Sequence, residues 1–337
     1  MHPIKNKREL PPLALGCGAF SGAYGPVSQE EVVKSVRTAL SNGVTLLDTS
    51  PYYNDSEIKL GKALNELKQE FPRSSYSICT KLGRYGYQKT SFNYSVDRVT
   101  SSINESMRRL HTDYLDIVLC HDVEFVDVSQ IVDEALPKLF ELKRQGVVHR
   151  VGISGYPLNV LLKLAQVQQE RKFPLDVCLS YCNFNLHCQL LAEYEPKLRA
   201  AGVDLIIAAS PLSMGLLRED TTHEWHPGSH ELKNAVEQCI TLIHAHNSLC
   251  HSESKITLAK MAENYAFSYD KADIHLVGAT TASEVEHALN AYKEARALKL
   301  YPDGKYANTS INHVYRQIME MLSPFSRYTW PSPPEDA

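Results

Sequence analysis

The chain has 337 residues, 43% hydrophobic and 22% charged, with 35 Lys+Arg against 39 Asp+Glu and a formal charge of −4. This is the composition of a soluble globular protein. The near-balanced charge excludes the electrostatic footprint of a nucleic-acid binder or of an anionic-membrane binder, so a small-molecule partner is expected.

The length exceeds an ordinary domain of roughly 100–200 residues and accommodates an α/β barrel, which needs about 250. No apolar run approaches the ~20 residues of a membrane span, and Met1 to Pro12 lacks the apolar stretch of a secretory leader. The eight cysteines include no Cys-x-x-Cys pair. They read as free thiols of a reduced, cytoplasmic chain with no structural disulfide and no metal site.

In chain order, the first apolar run is Leu13–Gly16. Gly16-Cys17-Gly18 follows, with Ser21 where the third Gly of a dinucleotide fingerprint belongs, so an open dinucleotide-binding sheet lacks its direct signal. Ser28 and Glu31 have capping-box spacing, and Val32, Val33, Val36, Ala39 and Leu40 recur with a helical period. Asn42-Gly43-Val44 closes that helix and leads into a strand, Thr45–Asp48. A strand at Tyr76–Thr80 precedes a stripe at Val96, Val99, Ile103, Met107 and Leu110. Leu115–His121 is the fourth strand, followed by a stripe at Ile131, Val132, Ala135, Leu136 and Leu139 with Pro137 as a kink.

The helix–Gly–strand unit returns at Gln145-Gly146-Val147, leading to Val151–Ser154. Asp176–Ser180 is the sixth strand. The unit returns again at Ala201-Gly202-Val203, leading to Leu205–Ala209. Arg218 to Glu231 is polar and reads as a long loop. Ile274–Gly278 is the eighth strand, followed by a capping box at Thr281 and Glu284 and a stripe at Val285, Ala288, Leu289 and Tyr292. Ser323 to Ala337 holds four prolines and reads as an extended tail. Eight strands alternating with helices predict a single α/β domain. It is a (β/α)8 TIM barrel over about 13–296 with extra loops, and 297–337 forms a C-terminal helix and tail. A doubly wound open sheet is the alternative.

Polar residues at the carboxyl ends of barrel strands face the active site. Those ends supply Asp48, Lys81, His121 and Ser154, with Tyr53 five residues after Asp48. A phenol has a pKa near 10, an ammonium beside it favours phenolate, a carboxylate keeps the ammonium charged, and an imidazole orients a substrate oxygen. Tyr53 is thus the candidate general acid/base, Lys81 its tuner, Asp48 the partner of Lys81, and His121 the orienting group. Singly, each has a structural explanation as a helix cap, a rim aromatic, a solvated strand end or a satisfied histidine. Their joint placement makes the case.

Asp48-Thr49-Ser50-Pro51-Tyr52-Tyr53 with Ser56-Glu57 and Leu60-Gly61, and Ser106 to Asp116, resemble the two signatures of the aldo-keto reductase superfamily. Thr80-Lys81 and Cys120-His121 stand where that family keeps its Lys and His. The resemblance spans about Leu13 to Arg296. It implies a (β/α)8 fold and hydride transfer between a nicotinamide and a carbonyl or alcohol carbon. It also implies a cofactor held by Gly18, Ala19, Ser154, Ser180, Ser210, Leu212, Gly215, Gly278, Thr280, Thr281 and Glu284. Three departures stand out: Gly155 replaces the Asn that usually follows Ser154, the usual Gln is missing from Leu179 to Asn183, and Ala209 replaces a nicotinamide-stacking aromatic. They resemble the family's aldose 1-dehydrogenase branch, which implies oxidation of a D-arabinose-, L-galactose- or L-fucose-type sugar at C1 to the lactone.

The last βα loop, Val277 to Glu284, contains no cation to pair an adenosine 2′-phosphate. That favours NAD, with NADP possible, and Glu284 either bonds the ribose hydroxyls or only completes its capping box. Phe20, Tyr24, Tyr52, Asp122 and Trp225 are the candidate sugar contacts. A broad NADPH-dependent carbonyl reductase and a non-enzymatic nucleotide-binding subunit are the alternatives. A metal-dependent hydrolase finds no motif, and His244-Ala245-His246 reads as helix surface. Oligomeric state is not readable.

Overall fold

The computed structural model describes residues 9–219, 224–249 and 255–332. Its strands are β1 (Leu13–Gly16), β2 (Leu46–Asp48), β3 (Ser77–Leu82), β4 (Leu115–His121), β5 (Val148–Gly155), β6 (Val177–Tyr181), β7 (Leu205–Ala209) and β8 (Ile274–Gly278). They pair in parallel in sequence order, and β1 closes on β8. The eight expected strands are all present, with some ends displaced by one to three residues. The open sheet is excluded.

Alternation along each strand divides the core in two. Leu46, Cys79, Leu119, Leu179, Ile207 and Ile274 point inward and fill the barrel. Leu47, Ile78, Val118, Ile153, Cys178 and Ile206 point outward and pack on the helices. Continuing the inward parity to the carboxyl ends brings Gly16, Asp48, Lys81, His121, Ser154, Tyr181, Ala209 and Gly278 to one mouth.

The helices form as their caps dictate. α1 (Gln29–Ser41) and α9 (Ala282–Leu298) start on complete capping boxes, Ser28 with Glu31 and Thr281 with Glu284. The remaining barrel helices are α2 (Ser56–Glu66), α3 (Val96–Leu110), α4 (Leu136–Arg144), α5 (Leu158–Glu170), α6 (Leu190–Ala200) and α8 (Leu258–Phe267). The kink expected at Pro137 is replaced by a π turn, Gln130–Ala135, running into α4. Pro137 falls in the first turn of α4, where its missing N–H leaves no unmet bond.

Two helices lie outside the basic barrel, α7 (His230–Leu249) after β7 and α10 (Thr309–Leu322) after α9. His246 of α7 is not on the surface: it is buried, with Nδ1 3.3 Å from Ser310 Oγ. Residues 220–223 of the polar segment lie outside the described residues, and Glu231 belongs to α7. The tail is docked as far as residue 332. Gln189 N–H donates to Ser326 O at 3.0 Å, Ser229 N–H to Tyr328 Oη at 2.9 Å, and Trp330 is buried at the barrel mouth. Residues 333–337 lie outside the described residues. The seven described cysteines are free and buried. Among the described residues no helix is long and apolar enough to cross a membrane.

Candidate active site

Lys81, 2% exposed, donates from Nζ to Asp48 Oδ1 at 2.5 Å and to the Thr49 carbonyl at 3.0 Å. An ammonium has three donors. Nζ also lies 4.8 Å from the Tyr53 ring centroid, close enough for its charge to act on the phenol. Tyr53 sits on the turn after β2, which is closed by its own N–H to Ser50 O at 3.1 Å and by Ser56 N–H to Tyr53 O at 2.9 Å. A Cβ on Gly18 would lie 3.3 Å from the Tyr53 ring, so the residue after β1 must stay small for the ring to keep its place.

The two signature segments brace this arrangement. Glu57, fully buried, accepts from Thr80 Oγ1 at 2.6 Å and from Arg109 Nε at 2.7 Å. Asp116 accepts from Ile78 N–H at 2.9 Å and from Arg73 Nη2 at 2.7 Å. The bonds to Thr80 and Ile78 both act on β3, the strand that carries Lys81. A Cβ on Gly61 would fall 1.9 Å from the Arg109 carbonyl oxygen, which is why α2 and α3 meet at a glycine.

Electrostatics refine the expected roles. Burial raises the Tyr53 phenol above its ordinary pKa; Lys81 pulls it down, and Asp48 and Asp122 push it up. The net direction is upward, so the lowering expected from Lys81 alone is outweighed by desolvation. Lys81 stays charged: burial opposes its charge, but Asp48 and the other acidic groups around it raise its pKa overall. His121 is held neutral by burial, by Lys81 and by Arg84. Ser50 Oγ accepts the Tyr52 N–H at 3.1 Å and lies 3.0 Å from His121 Nδ1. The Ser50 hydroxyl hydrogen has no other acceptor among the described residues, so it donates to Nδ1 and leaves the imidazole proton on Nε2.

The proposed cofactor residues occupy the β1, β7 and β8 side of the mouth. Gly18, Ala19, Ala209 and Gly278 place only small side chains on this side: a Cβ on Gly18 would lie 3.3 Å from the Tyr53 ring and one on Gly278 4.0 Å from the Ala19 Cβ. Ser210, Ser213, Met214 and Gly215 have φ of 62°, 49°, 57° and 90°. Such a strained run is typical of a ligand clamp. The half-buried Leu212 closes it by accepting from Gly215 N–H and Leu217 N–H, each at 3.1 Å. Ser154 faces the mouth, its Oγ 3.3 Å from Cys120 O. A nicotinamide nucleotide fits this donor set.

Ser180 does not join it. The alternation that turns Tyr181 inward sends Ser180 to the helix side, where its Oγ accepts from Asn183 Nδ2 at 2.8 Å. Tyr181 pairs in register with Ala209. It supplies an aromatic on the strand next to the one where the sequence showed it missing.

Glu284 Oε2 accepts from Thr280 N–H and Oγ1, both at 2.7 Å, and from Thr281 N–H at 3.2 Å. Burial raises its pKa, but these bonds and the nearby Arg218 lower it further, so it is ionised. Arg218 corrects the reading of this corner as lacking cations. The last loop has none, yet the fold brings one over from the β7 loop. Burial and Glu284 push Glu263, in the same cluster, up to about 7, against the pull of Arg218.

The substrate candidates separate. Phe20, on the short helix Cys17–Ser21, is fully buried in the core outside the barrel rather than open to the mouth. Tyr24 and Trp225 meet edge to face at 6.1 Å on the rim. Tyr52 and Asp122 stand beside His121, with Asp122 Oδ2 3.6 Å from Nε2.

Sequence reasoning missed Arg84, Tyr181 and Trp330 as site residues, and of these only Tyr181 stands at a strand end. Glu124 accepts Tyr156 N–H at 3.2 Å and the Ser332 hydroxyl at 2.8 Å. Burial and Asp122 push its carboxyl up to about 8. A Cβ on Gly155 would lie 2.5 Å from Glu124 Oε2, which explains the glycine in place of the usual Asn. Trp330 stacks on Tyr156 at 4.7 Å and 5°. Trp330→Ala is expected to remove about 3 kcal/mol from tail docking. Limited proteolysis should then clip the tail faster while the barrel stays protected; an unchanged rate would refute the docking.

A buried phenol, ammonium, carboxylate and imidazole gathered at the mouth of a closed parallel barrel form the arrangement of a barrel oxidoreductase. Residues 12–299 match the Aldo/keto reductase family, and the chain belongs to it. It is 38% identical over 323 residues to L-galactose dehydrogenase of Arabidopsis thaliana, covering 95% of this chain and 93% of the relative. It is 40% identical over 292 residues to D-arabinose 1-dehydrogenase of Saccharomyces cerevisiae, covering 84% and 83%. The structure of aldo-keto reductase AKR11C1 from Bacillus halodurans superposes with a TM-score of 0.65 at 21% identity, covering 94% and 93%, and shows the same fold.

Proposed function

We propose that the protein oxidises an aldose of the D-arabinose, L-galactose or L-fucose type at C1 to the aldonolactone, with NAD. The carrying observation is the polar wall beside His121. Asp122 and Tyr52 stand there as an acceptor and a donor for substrate hydroxyls, in a family member with two long relatives named as dehydrogenases of such sugars. D-arabinose, L-galactose and L-fucose share their configuration from C2 to C4, so one pocket serves all three.

The bound nicotinamide supplies the hydride acceptor for the C1–H pair. Tyr53, as phenolate, takes the proton of the anomeric hydroxyl as the C1–O double bond forms. His121 holds the same oxygen through its Nε2–H. Lys81, kept charged by Asp48, stabilises the phenolate. The test is NADH production across a panel of aldoses; no turnover with any of them overturns the reading.

The pH dependence follows from Tyr53. Burial keeps its phenol protonated at neutral pH, so the base form needed for oxidation grows with pH, by up to about tenfold per unit. Aldose oxidation is expected to climb from about pH 6 to about pH 10, whereas carbonyl reduction, which needs the protonated phenol, gains nothing. A flat oxidation profile contradicts this.

The NAD preference rests on Glu284, whose carboxylate occupies the Thr280 and Thr281 amides that a phosphate would use. Arg218 favours the alternative, an NADPH-dependent carbonyl reductase of broad specificity. Comparing kcat/KM for NAD and NADP decides: an NADP preference refutes the first reading. The reaction takes place in solution with a small sugar, without nucleic acid or membrane, and we assign it to the cytoplasm.

A further inference from the structure

Arg84 has no role in the proton-transfer set, yet it is tied into the mouth on every side. Gly83, with φ of 95°, ends β3 and turns Arg84 inward. The guanidinium carbon lies 3.8 Å over the centroid of Tyr52. Nη2 donates to the Tyr52 phenol oxygen at 2.9 Å, Nη1 to Asp122 Oδ2, and Nε to the Gly86 carbonyl at 3.3 Å. Asp122 is buried, in the left-handed region at φ 51°, with the same Oδ2 3.6 Å from His121 Nε2. Its other oxygen, Oδ1, has no hydrogen-bond partner among the described residues.

We propose that Arg84 is a specificity-determining residue: it fixes the Asp122 carboxylate and the Tyr52 phenol as one polar wall beside His121, which takes the hydroxyl groups next to the reacting carbon. The inference rests on the aldose reading and deepens it. All three guanidinium nitrogens of Arg84 already donate to protein acceptors, which fixes the fork in the wall as its positioning group. Asp122 Oδ1 is left as an acceptor. Tyr52, pushed up to about 12 mainly by burial, keeps its hydrogen and donates. A substrate without neighbouring hydroxyls leaves both unsatisfied, which a site of this kind penalises heavily.

The test compares reduction of glyceraldehyde and propanal by the full-length protein, with whichever reduced nicotinamide nucleotide it turns over. The two aldehydes have equal chain length and differ by two hydroxyls. The wild type is expected to prefer glyceraldehyde. Arg84→Met should lower the ratio of the two kcat/KM values by on the order of tenfold, mainly through the KM of glyceraldehyde. Arg84→Lys, which keeps the charge but not the fork, should recover part of it. An equal loss on both aldehydes, an unchanged ratio or no wild-type preference overturns the proposal. Should Arg84→Met fail to fold, Tyr52→Phe with Arg84→Lys carries the same comparison. Aldose oxidation is read separately: if it is absent while the glyceraldehyde ratio behaves as expected, the aldose reading fails and the wall stands.

Discussion

Tyr53→Phe is expected to lower turnover in both directions by about 10²–10⁴-fold, the range for removing a general acid/base. The substitution deletes only the phenol oxygen. The ring still packs against Gly18 and lies 5.6 Å from His121, so the mouth keeps its shape. Nucleotide binding, followed by fluorescence titration, should be unaffected, which separates loss of chemistry from loss of the site. Equal turnover in the variant would remove Tyr53 from the mechanism.

The second large effect is expected at the Lys81–Asp48 pair, and two measurements apportion it. Lys81→Met leaves Asp48 buried without its cation, with Oδ1 orphaned as Oδ2 already is. Breaking a buried pair from one side costs about 3–5 kcal/mol, so chemical denaturation should show a large drop in stability. Turnover should also fall, because the phenolate loses its ammonium. Adding Asp48→Asn removes the stranded charge. The double variant should recover much of the stability and none of the activity. Recovery of both would mean that the pair only holds the fold. Recovery of neither would mean that other groups depend on it.

The same electrostatics show why one effect is misjudged from the sequence. Spacing along the chain puts a lysine near a tyrosine, and a cation alone lowers a phenol pKa. Desolvation depends on how densely the surrounding atoms pack, which no spacing records. In the folded site it outweighs Lys81, and the phenol moves up. The expected rise of oxidation with pH therefore extends to higher pH before it levels off.

The sequence alone determined the barrel and placed Asp48, Lys81, His121 and, on the turn after Asp48, Tyr53 at its mouth, because both follow from local rules. Strand periodicity is a property of consecutive residues, and the end of each apolar run marks its side chain for the mouth. Asp48, Lys81 and His121 needed only that parity. The capping boxes at Ser28 and Thr281 were legible for the same reason: their partners lie three residues away.

What the tertiary structure decided involves residues far apart in the chain. Arg218 reaches Glu284 from another loop, Trp330 returns to stack on Tyr156, and Arg84 joins Tyr52 to Asp122 across three strand ends. Ser180 and Phe20 carried plausible residue types, but packing turned both away from the mouth. Sequence periodicity says which face a side chain takes on its own element. Which distant groups meet that face is set by how the barrel closes, and there the charge, the polar wall and the docked tail of this site were fixed.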